Sequence, residues 1–270
     1  MSDEPADFNA DSAVHRDGKL WRGEVTDAWS APPGPNGGYI TALLLAAIEG
    51  EVDDASRPPR TVTVHFMRPP SVGEVEIAVT IERSGRSAST ATARMAQGGK
   101  TTCVAICTLA GSFESAIDYS RAMPDVPPPA EVEALDSSLP PTIFGQLEFR
   151  MTFGDPPFTG SQSTLVGGWS RTRAPVPMRP GLLALYADAW WPCPFPRTSG
   201  PIMAPTLELT IHFRSIPALE PGAYVLGRFD STTSAEGFFE ESGELWSEDG
   251  TLLAQSRQLA LARPLPEGWE

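Results

Sequence analysis

Asp188 is the residue whose setting is chemically most demanding. Across residues 181–191 it is the only ionisable group besides Tyr186 in an otherwise apolar run. A lone carboxylate in such a segment is costly to bury unless it is hydrogen-bonded or paired. At helical spacing its neighbours are Ala184, Leu185 and Trp191, none of which can pair with a charge, so its partners must come from strands, water or a ligand. A carboxylate held this way can serve as a general base. The competing reading is an Asp at a helix end where the chain turns to solvent at Pro192.

A second group is Asn36-Gly37-Gly38, which comes after Pro32-Pro33-Gly34-Pro35 and leads into an apolar run. Free N–H groups and the positive dipole end of a helix N-terminus can polarise a carbonyl or meet a phosphate. Glycine lets a ligand come close to the backbone. An Asn N-cap with no further role explains the same residues. Arg68, Arg83, Arg86, Arg94 and Lys100 lie near turns, where they can receive a nucleotide phosphate or simply be solvated. His65 and His212 occupy matched positions on two strand-like segments and read as structural, at an outer face or a seam. Cys103, Cys107 and Cys193 read as buried thiols. With three Cys and three His in the whole chain, no metal site and no cofactor are expected. There is no Gly-x-Ser-x-Gly elbow, Walker loop or dinucleotide glycine fingerprint, which disfavours serine-hydrolase, NTPase and Rossmann chemistry.

The elements that position these groups are duplicated. Thr63-Val64-His65-Phe66-Met67-Arg68-Pro69-Pro70 matches Thr210-Ile211-His212-Phe213-Arg214-Ser215-Ile216-Pro217. Each copy continues through a Gly turn, an alternating strand, a Ser/Thr-rich segment, a Gly-Gly-Lys or Asp-Gly-Thr hairpin signal and a final strand. Each is preceded by a run that is apolar on nearly every side, 39–48 and 182–191, which predicts a buried helix. Strand signals at 20–29, 146–152 and 164–172 precede the helices. Strand, buried helix and several antiparallel strands, occurring twice, predict an α+β double hotdog fold, with two curved sheets each wrapped around its own helix. The expected organisation is an N-terminal repeat over 1–114 with a loose tail at 1–15, a Pro-rich connector over 115–141, and a C-terminal repeat over 142–270.

The chain has 270 residues, a formal net charge of -14 and a sequence pI near 4.6. Such an acidic protein is not attracted to nucleic acid or to an anionic membrane. The acidic N-terminus lacks the features of a secretory signal, so a cytoplasmic location is expected. The apolar run 39–48 is far short of the roughly 20 residues that cross a bilayer.

Taken together, Gly37-Gly38-Tyr39, the buried helices, the strand ending in Phe66-Met67-Arg68-Pro69-Pro70 and the tail Leu253-Ala254-Gln255-Ser256-Arg257-Gln258 resemble the acyl-CoA thioesterase II family. The resemblance implies hydrolysis of an acyl-CoA, with Asp188, Thr206 and Gln258 together holding the attacking water and Asp188 on the second helix. Simple strand alternation, in contrast, puts Thr206 on the side of His212, away from the core. Two other functions fit a hotdog protein. One is a non-catalytic acyl-CoA or lipid binder, and the other is a hydratase or dehydratase, which needs a His near a helix. A homodimer is expected, because rolled sheets leave edges that association covers.

Overall fold

The computed structural model describes residues 4–31, 34–136 and 141–265. Pro32, Pro33, the first three residues of the expected tail and connector residues 137–140 lie outside the described residues. An antiparallel sheet of 13 strands runs through the described part, beside two small two-stranded sheets; twelve of its strands follow one path, and the short Ser234–Ala235 pairs with Phe238–Ser247 off that path. Its first half is ordered Val14–Asp17, Leu20–Val25, Gly73–Ser84, Ala88–Gln97, Lys100–Ala110 and Pro59–Phe66. Its second half continues as Thr206–Phe213, Leu252–Leu261, Phe238–Ser247, Val225–Asp230, Val166–Thr172 and Leu147–Gly154. The Gly-Gly hairpin signal is real: Gly98 and Gly99 turn the chain at φ 56° and 75°, values that suit glycine.

The halves meet where the two repeat motifs pair with each other, Thr63 opposite Thr210 and Val62 opposite Ile211. The two threonine hydroxyls share a 2.8 Å hydrogen bond across 147 residues. A local two-fold therefore passes between these equivalent positions. Val62, Val64, Leu209 and Ile211 face the core and are fully buried, whereas His65 and His212 are exposed on the outer face. Period-two alternation explains both outcomes.

A helix over Gly37–Val52 fills the concave side, with Tyr39, Leu43, Leu44, Leu45 and Ile48 all at 0% exposure. Each such Leu or Ile contributes about 1.5–3 kcal/mol of burial. The second helix is shorter than its apolar pattern suggests. It runs Pro180–Tyr186 and not 182–191. Pro192 disfavours helical geometry at Trp191 and clashes with the carbonyl four residues back, so the last turn cannot close. The helices also lean on each other, which amends the picture of one helix per sheet. A Cβ on Gly38 would sit 2.2 Å from the Ala184 carbonyl oxygen, and one on Gly181 would sit 3.0 Å from the Ala42 Cβ.

The expected loose tail is in fact anchored. Phe8–Asp11 forms a helical turn capped by Asp7, and Phe8 is fully buried edge-on to Trp29. The Trp29 indole N–H donates to Asp11 Oδ2 at 2.8 Å. An aromatic side chain at position 8 supplies the burial that a polar tail lacks. Around Met123, Val126 and Val132 the proline-rich segment covers the outer face of the second half, where the Trp169 indole donates to the Pro127 carbonyl at 2.9 Å, and by Leu135 it has reached the cavity. No helix among the described residues is long and apolar enough to cross a membrane.

Candidate active site

Asp188 lies two residues beyond the short helix, in the turn that Pro192 enforces. Its backbone N–H donates to the Leu185 carbonyl at 3.1 Å. The turn does not lead to solvent. It places the carboxylate against the N-terminus of the long helix, where Gly38 N–H donates to Asp188 Oδ2 at 3.0 Å and Asn36 Nδ2 donates to the same oxygen at 2.9 Å. Asn36 Nδ2 also donates to the Asp188 carbonyl at 2.6 Å. Asn36 Oδ1 meanwhile accepts from Tyr39 N–H at 3.0 Å. One amide thus does two things, its oxygen capping the helix and its nitrogen holding Asp188.

Gly37 and Gly38 serve the same end. A Cβ on Gly37 would lie 2.9 Å from Asp188 Oδ2 and 3.1 Å from the Phe66 ring. The Gly38 N–H meets Asp188 itself, so the helix N-terminus holds the acid. Burial pushes the Asp188 carboxyl up to about 7. The Gly38 and Gly37 N–H groups and the Asn36 amide pull against that rise, and the charge of Glu241 adds to it.

Thr206 begins the strand Thr206–Phe213, and a register irregularity between Thr206 and Glu208 resets the alternation. Thr206 therefore pairs with Ala260, faces inward and donates its hydroxyl to Gln258 Oε1 at 2.8 Å. The side assigned to Thr206 by simple alternation is corrected by this bulge, which adds a residue to one strand only. Gln258 Nε2 in turn donates to Glu241 Oε1 at 2.8 Å, and Glu241 Oε2 accepts from Cys193 N–H at 2.8 Å. Glu241 is a site residue that the sequence reading missed. The available signal was its place in Phe239, Glu241, Gly243, Leu245, the inward face of an alternating strand. Burial pushes its carboxyl up, while bonds from Cys193 and Gln258 oppose the rise.

Asn36, Gly37, Asp188, Thr206 and Gln258 line one cavity of about 1010 Å³. Its walls are largely apolar, with Phe66, Phe144, Phe149, Trp190, Trp191 and Phe239 prominent. Gly38 contributes from behind, through its bond to Asp188. Arg68 also lines the cavity, whereas Arg83, Arg86, Arg94 and Lys100 do not. Among the described residues no His lines it, and His65 and His212 sit on the far side of the sheet, so the hydratase reading lacks its acid–base partner. Cys103 and Cys193 are buried thiols near the cavity, and burial pushes Cys103 up to about 12.

Residues 25–110 match the acyl-CoA thioesterase N-terminal domain, and residues 121–262 match the acyl-CoA thioesterase C-terminal domain. The chain belongs to the acyl-CoA thioesterase family. Among solved structures, a conserved protein of unknown function with a hot dog fold from Alicyclobacillus acidocaldarius is similar over 96% of this chain and 98% of its own, with 27% identity and a TM-score of 0.88. A candidate thioesterase II from Thermobifida fusca YX is similar over 94% of this chain and 97% of its own, with 25% identity and a TM-score of 0.80. An uncharacterized protein of Mycobacterium tuberculosis is 25% identical over 90% of this chain and 91% of its own. The double hotdog architecture is thus common to the chain and its structural neighbours.

Proposed function

We propose that this thioesterase-family protein hydrolyses acyl-CoA thioesters with a water activated by Asp188. The observation that carries the reading is the convergence of Asp188, Thr206 and Gln258 on one apolar cavity, with the Gly38 N–H and the Asn36 amide both donating to Asp188 Oδ2. Oδ1 is the oxygen that takes a proton from water in this reading. A carboxyl titrating near 7 is matched to general-base work at neutral pH.

Water gives one proton to Asp188 as its oxygen attacks the thioester carbonyl carbon. The tetrahedral intermediate then breaks the C–S bond, and the departing sulfur takes the proton back from Asp188, giving a carboxylic acid and a free thiol. Thr206, its own proton committed to Gln258 Oε1, accepts the second proton of the water as a hydrogen bond. Gln258 keeps one N–H for the reacting oxygen. The apolar walls exclude bulk water and take the acyl group. The same reading carries a cytoplasmic setting and a homodimer that covers the sheet edges.

The test is Asp188→Asn, assayed on acyl-CoAs of graded length with a thiol-trapping reagent. Asn keeps the volume, and its Oδ1 can accept from both Gly38 and Asn36. The expected fall in kcat is at least about 10²-fold with KM within a few-fold. A folded Asp188→Asn protein that turns over like the parent overturns the mechanism.

A further inference from the structure

Glu241 is a buried acid at 5% exposure, with no cation among the groups that shift its titration. Its two oxygens accept from two different donors, the fixed backbone N–H of Cys193 and the Gln258 amide. A carboxylate accepts both at once, one on each oxygen. A side-chain amide in its place must turn its own NH₂ toward one of the two and set donor against donor.

This matters because the two ends of the Gln258 amide are nearly equal in shape, so its partners alone decide which end faces which. Glu241 draws Nε2 toward itself, which turns Oε1 to Thr206 and makes the Thr206 hydroxyl the donor. With its proton so committed, Thr206 offers lone pairs to the cavity. With the Gln258 amide reversed, Thr206 would accept from Gln258 and aim its proton elsewhere.

We propose that Glu241 is a positioning residue for thioester hydrolysis: it fixes the amide orientation of Gln258 and, through it, the hydroxyl proton of Thr206. The inference rests on the reading of Asp188 as the base acting on a water in the same cavity. Glu241 also acts on that base directly, since its charge helps to raise the Asp188 carboxyl. The other ionisable groups around Glu241 are Glu240 on its own strand and the buried Cys193 thiol. Asp230 also acts on that thiol. Asn36, Gly37 and Gly38 face Asp188 as neutral donors.

The experiment is a cycle of Glu241→Gln and Gln258→Ala, with kcat, KM and the pH dependence of kcat/KM measured for each. Glu241→Gln alone should lower kcat by roughly 10–100-fold with KM within a few-fold, as expected when a reacting group is misaligned. It should also move the acid limb of the pH profile to lower pH, because a negative charge near Asp188 is gone. On the Gln258→Ala background the same change should leave the plateau kcat, measured above the acid limb, within about two-fold, since the amide it orients is gone, while the direct shift of the acid limb persists. An equal loss on both backgrounds, or a parent-like kcat for Glu241→Gln, overturns the proposal. Side-chain ¹⁵N NMR of the unmutated protein tests it even if Glu241→Gln does not fold. One Gln258 Nε2 proton should be shifted downfield and slow to exchange, and two equivalent, fast-exchanging protons overturn the proposal as well. Failure of the underlying reading looks different, since it shows as full activity in Asp188→Asn.

Discussion

The two central helices occupy related positions in a duplicated fold, yet they end in opposite ways. Tyr39 and Tyr186 stand at the same 147-residue spacing as the seam threonines. Each places its hydroxyl at the end of a strand, where Thr26 N–H, just past Leu20–Val25, reaches Tyr39 at 3.3 Å and Thr172 N–H, the last of Val166–Thr172, reaches Tyr186 at 3.1 Å. In the first half Tyr39 is the third residue of a 16-residue helix, whereas in the second Tyr186 is the last of seven. Beyond Tyr39 a run of Ile, Thr, Ala and Leu continues the helix, and the Thr41 hydroxyl donates back to the Gly37 carbonyl at 2.7 Å. Beyond Tyr186 comes Ala-Asp-Ala-Trp-Trp-Pro, which cannot continue it. The position that is Thr41 inside one helix is Asp188 beyond the end of the other. Duplication thus yields one site with an acid from one half and a capped helix N-terminus from the other.

The contact between the helices is the part of this asymmetry most easily broken. Gly38→Ala drives a methyl to 2.2 Å from a backbone oxygen, so a loss of roughly 3 kcal/mol or more is expected. Gly181→Ala comes nearest to the Ala42 methyl, at 3.0 Å, and should lose about 1 kcal/mol. Urea denaturation at constant m-value measures both, and equal losses would show that the close approach at Gly38 is not what joins the halves.

Separating the two jobs of Asn36 sharpens the comparison with less disruption. Serine keeps an N-cap oxygen for Tyr39 N–H but cannot reach Asp188, so Asn36→Ser should lose only about 1 kcal/mol of stability. The parent should lose activity as pH falls through about 7, because the base must be ionised. Removing a hydrogen bond that favours the ionised form moves that limb to higher pH, and an unmoved limb would show that Asn36 does not act on Asp188.

The smallest effect belongs to the symmetric seam. The Thr210 hydroxyl also donates to Glu208, so Thr63→Val should lose about 1 kcal/mol or less and Thr210→Val somewhat more, while the double variant loses less than the two together. Additive losses in thermal unfolding would mean that the 2.8 Å contact contributes nothing to joining the repeats.

Patterns of short range were legible in the chain. The repeat, the outward histidines, the buried helix of the first half and the final strand at Leu252–Leu261 all come from alternation or from an apolar face. Asp188 was legible too, because a single acid in an apolar run contradicts the run around it. What the tertiary structure alone decided is long-range and geometric. The bulge before Glu208 turned Thr206 inward, Pro192 ended a helix whose composition favoured continuing, and Glu241 joined the site through partners 48 and 17 residues away in sequence. Phe8 anchors a segment that reads as tail, because its pocket is assembled from Trp29 and Tyr39. Side-chain periodicity is a property of neighbours along the chain, so sequence carries it. The direction of a hydrogen bond between distant strands is fixed only when the sheet closes and each donor finds its acceptor.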